Sequence, residues 1–114
     1  MNVRQNDEVR LNHVLEAIRN ISLFTKGLSE VDFLKNRLVQ SAVERQLEII
    51  GEASARLSES LKGKFPEIEW NKIKAFRNII AHEYFGVSSK QVWQVIQKDL
   101  LLLKKQLQKV LKAL

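Results

Sequence analysis

Residues 93–114 read "WQVIQKDLLLLKKQLQKVLKAL", and their apolar period decides the fold class. Trp93, Ile96, Leu100, Leu103, Leu107, Val110 and Leu114 recur at alternating steps of three and four, the seam of a helical bundle or coiled coil. Lys98, Lys105 and Lys112 fall one heptad apart on the opposite side. One face of this helix therefore belongs in a core, and the other forms a basic ridge.

Working backwards, Ser88 and Gln91 have the spacing of a reciprocal helix cap, so the last helix starts just after Gly86 and Ser88. A shorter helix is expected from about Trp70, with Trp70, Ile73 and Phe76 or Ile80 turned inward. "KGKFPEIEW" breaks the chain before it, since Gly63 and Pro66 flank a turn and Pro66 disfavours helical geometry at Phe65. From about Leu38, the series Val39, Val43, Leu47, Ile50, Ala53, Leu57 and Leu61 predicts one long helix. Gly51 lies inside it, where glycine costs about 0.5–1 kcal/mol relative to alanine, which suggests a close approach by another backbone. Ser29 and Asp32 mark a short preceding segment with the capping arrangement. The first helix is expected from about Asp7 to Phe24, with Leu11, Val14, Leu15, Ile18 and Ile21 on its inner face and Gly27 ending it. No strand-like alternation competes with these periods. The expected fold is all-α, an up-and-down bundle of four to five helices.

A chain of 114 residues suits a single domain spanning 1–114. Its 45% apolar and 28% charged content is that of a globular protein. No apolar run approaches the roughly 20 residues needed to cross a bilayer, and the first ten residues lack the apolar core of a signal peptide. The absence of cysteine removes disulfide and thiolate chemistry and suits a reducing compartment. These features point to the cytoplasm, with no membrane partner. Of the net charge of +6, residues 90–114 carry +5, from Lys90, Lys98, Lys104, Lys105, Lys109 and Lys112 against Asp99. Such a surface attracts RNA or an acidic protein, and it also serves solubility alone.

"RNIIAHEY", residues 77–84, concentrates the chemistry-bearing side chains. Arg77 and His82 stand five apart, about 140° around an ideal helix, whereas Arg77 and Tyr84 share a face. Joint action by Arg77 and His82 requires the helix to end or bend near His82, or two chains to contribute. Histidine exchanges a proton near neutral pH, and the planar fork of arginine matches phosphate oxygens. Together they suit metal-independent RNA cleavage, in which a base activates the 2′-hydroxyl and a cation stabilises the charge growing on phosphate. Asn78 is placed to orient either group or the substrate. A structural alternative uses the same residues: Arg77 paired with an acid, His82 capping a helix end, Tyr84 packed at a turn. "HEYFG" lacks the second histidine of the H-E-x-x-H zinc motif, and no phosphate-cradling glycine loop is present. Neither a metal nor another cofactor is therefore expected.

The same stretch, as R-N-x-x-x-H-x-Y, resembles the motif of HEPN-domain proteins, in particular the HepT-like ribonuclease toxins. "RQLEIIGEA" at 45–53, Pro66 followed by Trp70, then Val87, Trp93 and Asp99 look like the family's further landmarks in order. The resemblance covers roughly residues 40–100. It implies a helical bundle that forms a homodimer, with the motif of both subunits lining an RNA-cleaving cleft. By that similarity Arg77 and His82 are the catalytic pair and Asn78 the supporting polar residue. A cognate minimal nucleotidyltransferase would act as antitoxin by adding AMP to Tyr84. "KAF" before Arg77 and Glu83 between His82 and Tyr84 depart from the commoner family pattern without touching the motif. The competing expectations are a non-catalytic helical dimer binding nucleotide, RNA or a partner protein, and a purely structural bundle.

Overall fold

The protein is described by a computed structural model that covers residues 2–77 and 88–114. All regular elements among the described residues are helical, as the apolar periods require. Helix α1 spans Val3–Thr25. It starts earlier than its apolar face suggests, because Asn2 and Gln5 cap each other: the Gln5 N–H donates to Asn2 Oδ1 at 2.8 Å, and the Asn2 N–H donates to Gln5 Oε1 at 3.1 Å. The helix stops at Gly27, whose φ of 77° suits glycine. Helix α2, Glu30–Leu34, carries the expected Ser29–Asp32 cap. Its Phe33 is fully buried and lies against Trp93, with ring centroids 5.2 Å apart.

Helix α3 spans Arg37–Ala55, and the expected long helix ends there. Ser58 opens a separate helix α4, Glu59–Lys64, by accepting the Leu61 N–H on its hydroxyl. The break is held from outside: Asp7 of α1 accepts the Ser58 N–H at 2.9 Å and the Ser58 hydroxyl at 2.6 Å. Leu57 and Leu61 are buried on both sides of the break, which is why the apolar period runs through it unmarked. Gly63, expected in the turn, sits inside α4, and the chain turns at Phe65 instead. Helix α5, Trp70–Lys74, buries Ile73. Trp70 is only half-buried, and its indole N–H donates to the Phe65 carbonyl at 3.1 Å. Ile80 lies outside the described residues.

The last helical run comprises α6, Ser89–Gln94, a π-helical turn at Val95–Asp99, and α7, Leu100–Lys112. Ser88 and Gln91 cap it as expected. The π turn widens the helix and changes the heptad register before Leu100. Val92 rather than Trp93 is therefore buried with Ile96 and Leu100, and the three-four seam holds only from Leu100 through Val110. Trp93 is half-buried at the edge.

Helix α1 packs on α3, α3 on α5, and α7 closes against α1, while α2 covers one end against α3 and α6. Leu11, Val14, Val43, Leu47, Ile50, Leu107 and Val110 are fully inaccessible at the centre. Each such side chain contributes about 1.5–3 kcal/mol relative to exposure. Among the described residues, no helix is long and apolar enough to cross a membrane.

Candidate functional site

Arg77 is the motif residue that the structure describes; Asn78, His82 and Tyr84 lie outside the described residues. Its position follows from the packing of α5 and the turn after it. Ile73 and Phe76 are buried, so one side of this segment is fixed to the core, and Phe76 and Arg77 are again helical. Gly51 of α3 supplies the seat on the other side. A Cβ built there would stand 2.8 Å from the Arg77 nitrogen, 2.9 Å from its Cβ and 3.2 Å from its Cα. Only a residue without a side chain lets α3 approach the Arg77 backbone this closely, which accounts for glycine in mid-helix.

The Arg77 side chain is exposed and, among the described residues, makes no hydrogen bond or ion pair. The structural alternative requires a carboxylate partner, and among the described residues none holds this guanidinium. An arginine with a fixed backbone and an uncommitted fork is suited to an anion supplied from outside.

A second constraint fixes α5 against the last helix. The Lys72 ammonium donates to Asp99 Oδ1 at 3.1 Å, bridging α5 to the end of the π turn. That hydrogen bond and the Asp99 charge hold the Lys72 ammonium above the ordinary lysine range. Beneath the pair lies a cleft of about 160 Å³ lined by Ile73, Phe76, Leu102 and Leu103. Lys72 and Asp99 stand 27 positions apart, so no local pattern announces their meeting. Asp99 is thereby the counter-ion of α5 and is not simply one acid in a basic stretch. The six lysines of residues 90–114 are all exposed, so this run has a basic surface, but the π turn takes Lys98 out of the expected heptad register with Lys105 and Lys112. Leu101 and Leu102 interrupt that surface, each 59% exposed.

Residues 14–110 match the family model described as "Ribonuclease HepT-like". A probable ribonuclease HepT from Thermococcus cleftensis is 38% identical over 102 residues, covering 90% of this chain and 93% of that protein. A protein of Methanocaldococcus jannaschii with a provisional RNase name is 35% identical over 98 residues, 86% of this chain and 90% of its own length. Another from the same organism, named for a gamma-glutamylcyclotransferase joined to a provisional RNase, is 37% identical over 112 residues. The chain is covered to 98% in that match but spans only 50% of the longer protein. No solved structure matches the chain significantly.

Proposed function

The chain belongs to the HepT-like ribonuclease family, and from that premise we propose that it is a metal-independent endoribonuclease toxin, acting as one helical domain and as a homodimer in the cytoplasm. Arg77 and His82 form the catalytic pair, and Asn78 supports them. The observation that carries this proposal is Arg77 itself: exposed, without a carboxylate among the described residues, and with its backbone seated on Gly51. An arginine needed only for stability would be expected in an ion pair.

In the proposed reaction a base, His82, takes the proton of an RNA 2′-hydroxyl as that oxygen attacks the adjacent phosphorus. The O2′–P bond forms and the P–O5′ bond breaks, leaving a 2′,3′-cyclic phosphate and a protonated 5′-oxygen. Arg77 stabilises the charge that accumulates on the non-bridging oxygens. Because an ideal helix sets positions 77 and 82 about 140° apart, a bent segment or the second subunit must bring the two groups to one phosphate. The exposed lysines of α6 and α7 add long-range attraction for the RNA backbone.

Regulation by a cognate minimal nucleotidyltransferase antitoxin completes the proposal. The Tyr84 phenol oxygen attacks the α-phosphorus of a nucleoside triphosphate, pyrophosphate leaves, and AMP stays on the tyrosine. A bulky anion next to Arg77 and His82 would repel RNA from the site. The test incubates wild type and His82→Ala with cellular RNA in EDTA. Cleavage by wild type alone is expected; equal cleavage by both, or binding without product, refutes the catalytic assignment and leaves a non-catalytic RNA-binding dimer. Co-expression with the nucleotidyltransferase should add AMP mass to wild type and none to Tyr84→Phe.

A further inference from the structure

Away from the motif, a groove of about 270 Å³ runs between α1 and α3. Helix α1 lines it with Asn6, Arg10 and His13, spaced at four and three residues along one face. Glu52 of α3 and Arg56, the exposed residue that follows its last turn, line the other wall, and Val9, Ile49 and Ala53 form an apolar floor. Two hydrogen bonds set the register of the walls. Asn20 pairs with Gln46 at 3.2 Å and Asp7 with Ser58 at 2.6 Å, so the helices run antiparallel with position 10 level with 55–56 and position 13 level with 52–53. Arg10 therefore stands across from Arg56, and His13 across from Glu52.

Arg10 and Arg56 are level with each other on the two walls, so an anion seated between them would be attracted by both. Among the described residues, neither Arg10 nor Arg56 has a hydrogen bond or ion pair, and Arg10 is half-buried. A partly desolvated, unpaired guanidinium costs free energy in the free protein and recovers it when an anion arrives. Asn6 and His13 add side-chain hydrogen-bonding groups on the same wall. Ligand pockets for whole cofactors usually run about 300–1,000 Å³. At 270 Å³ this groove has room for a phosphate and its sugar, with Glu52 on the side of His13 as an acceptor for a hydroxyl.

We infer that the α1–α3 groove is a second anion site, in which Arg10 and Arg56 together hold a phosphate of an RNA strand outside the cleavage motif. The inference rests on the ribonuclease reading for its choice of RNA as the anion. It separates holding the strand from cutting it: Arg10 and Arg56 grip the backbone, and the motif acts on a different phosphate of the same molecule.

The test uses the full chain in a His82→Ala background, so that a fluorescently labelled 20-nucleotide uridine RNA is bound without being cut. Anisotropy titrations at several salt concentrations compare that parent with added Arg10→Gln, Arg56→Gln or both. Each substitution should weaken binding about tenfold, because a charge-assisted contact is lost. The salt slope should fall by about 0.7 per lost phosphate contact. The double variant should lose little more than either single one if both arginines hold the same phosphate. Unchanged affinity and slope in all three variants overturn the inference, and so does a parent that fails to bind the RNA at all. A loss of dimer mass in sedimentation on Arg10→Gln or Arg56→Gln also overturns it and assigns the groove to contact between copies. The two readings fail separately: a wild type that does not cleave RNA while the arginine variants lose binding removes the nuclease and leaves the groove. Wild-type cleavage with unaltered binding in the variants removes the groove and leaves the nuclease.

Discussion

Gly51→Ala tests the seat of Arg77 directly. The added methyl would lie 2.8 Å from the Arg77 nitrogen, where carbon contacts normally settle near 3.5 Å, so α3 and the Arg77 segment must part by roughly 0.7 Å. Overpacking of this kind costs about 1–3 kcal/mol. Alanine recovers about 0.5–1 kcal/mol of helix propensity over glycine, leaving a net loss of up to about 2.5 kcal/mol, centred near 1 kcal/mol. For a domain of this size, each 1 kcal/mol corresponds to a fall in melting temperature of about 4 °C. The effect on cleavage should exceed the effect on stability, since moving a catalytic group by about 1 Å can cost on the order of 100-fold in rate. Gly63→Ala supplies the control: nothing lies within 4 Å of a Cβ at Gly63, so this change should stabilise by about 0.5–1 kcal/mol and leave cleavage unaltered. Urea unfolding and RNA cleavage at a temperature where both variants are folded provide the two readouts. A Gly51→Ala protein that is as stable as Gly63→Ala and cuts RNA at the wild-type rate refutes the seating of Arg77 on α3.

Arg77→Ala should abolish cleavage while shifting stability by less than about 0.5 kcal/mol, because the side chain is exposed and unpaired among the described residues; a large loss in urea midpoint would return Arg77 to a structural role. Asp7→Ala removes both acceptors of Ser58 and should destabilise by about 1.5–3 kcal/mol in urea unfolding, with α4 amides near Leu61 exchanging faster. The Ser29 backbone N–H, followed by its hydroxyl, holds Asp32 below the ordinary carboxylate range. A depressed carboxylate favours the folded state above its unfolded value of about 3.8, and that contribution fades as pH falls through the lower folded value. Ser29→Ala removes the hydroxyl and keeps the backbone N–H, so it should move the Asp32 titration part of the way up towards 3.8 in carboxyl NMR; an unmoved titration would refute the contribution of the Ser29 hydroxyl.

The elements legible in the sequence were those specified locally. The Ser29–Asp32 and Ser88–Gln91 caps and the left-handed Gly27 depend on residues within a few positions, so their spacing is enough. The break between α3 and α4 escaped because its cause lies 51 positions away, in Asp7. An apolar period cannot register a carboxylate arriving from another helix. The π turn at Val95–Asp99 likewise left the seven-residue pattern looking continuous while exchanging Val92 for Trp93 in the core. Of the candidate site, residue types nominated Arg77 and suggested a close approach at Gly51, but not that the backbone approaching Gly51 is that of Arg77. Joining them takes the crossing of α3 with the segment after α5, a distance no sequence spacing carries. The facing of Arg10 and Arg56 is hidden for the same reason, since it follows from the antiparallel register of two helices separated by α2.

Helix α3 links the two proposed sites through its own geometry. At 100° per residue, Glu52 lies 100°, Arg56 about 140° and Ile49 about 160° around the helix from Gly51. The face that seats Arg77 and the face that lines the groove are therefore different sides of one helix, whose Leu47 and Ile50 are part of the core. A rigid helix can hold a gripped phosphate and a cutting arginine at a constant separation, which a flexible loop cannot do. RNA held at the groove, as proposed, would present phosphates to the motif at a raised local concentration, as a tethered ligand does.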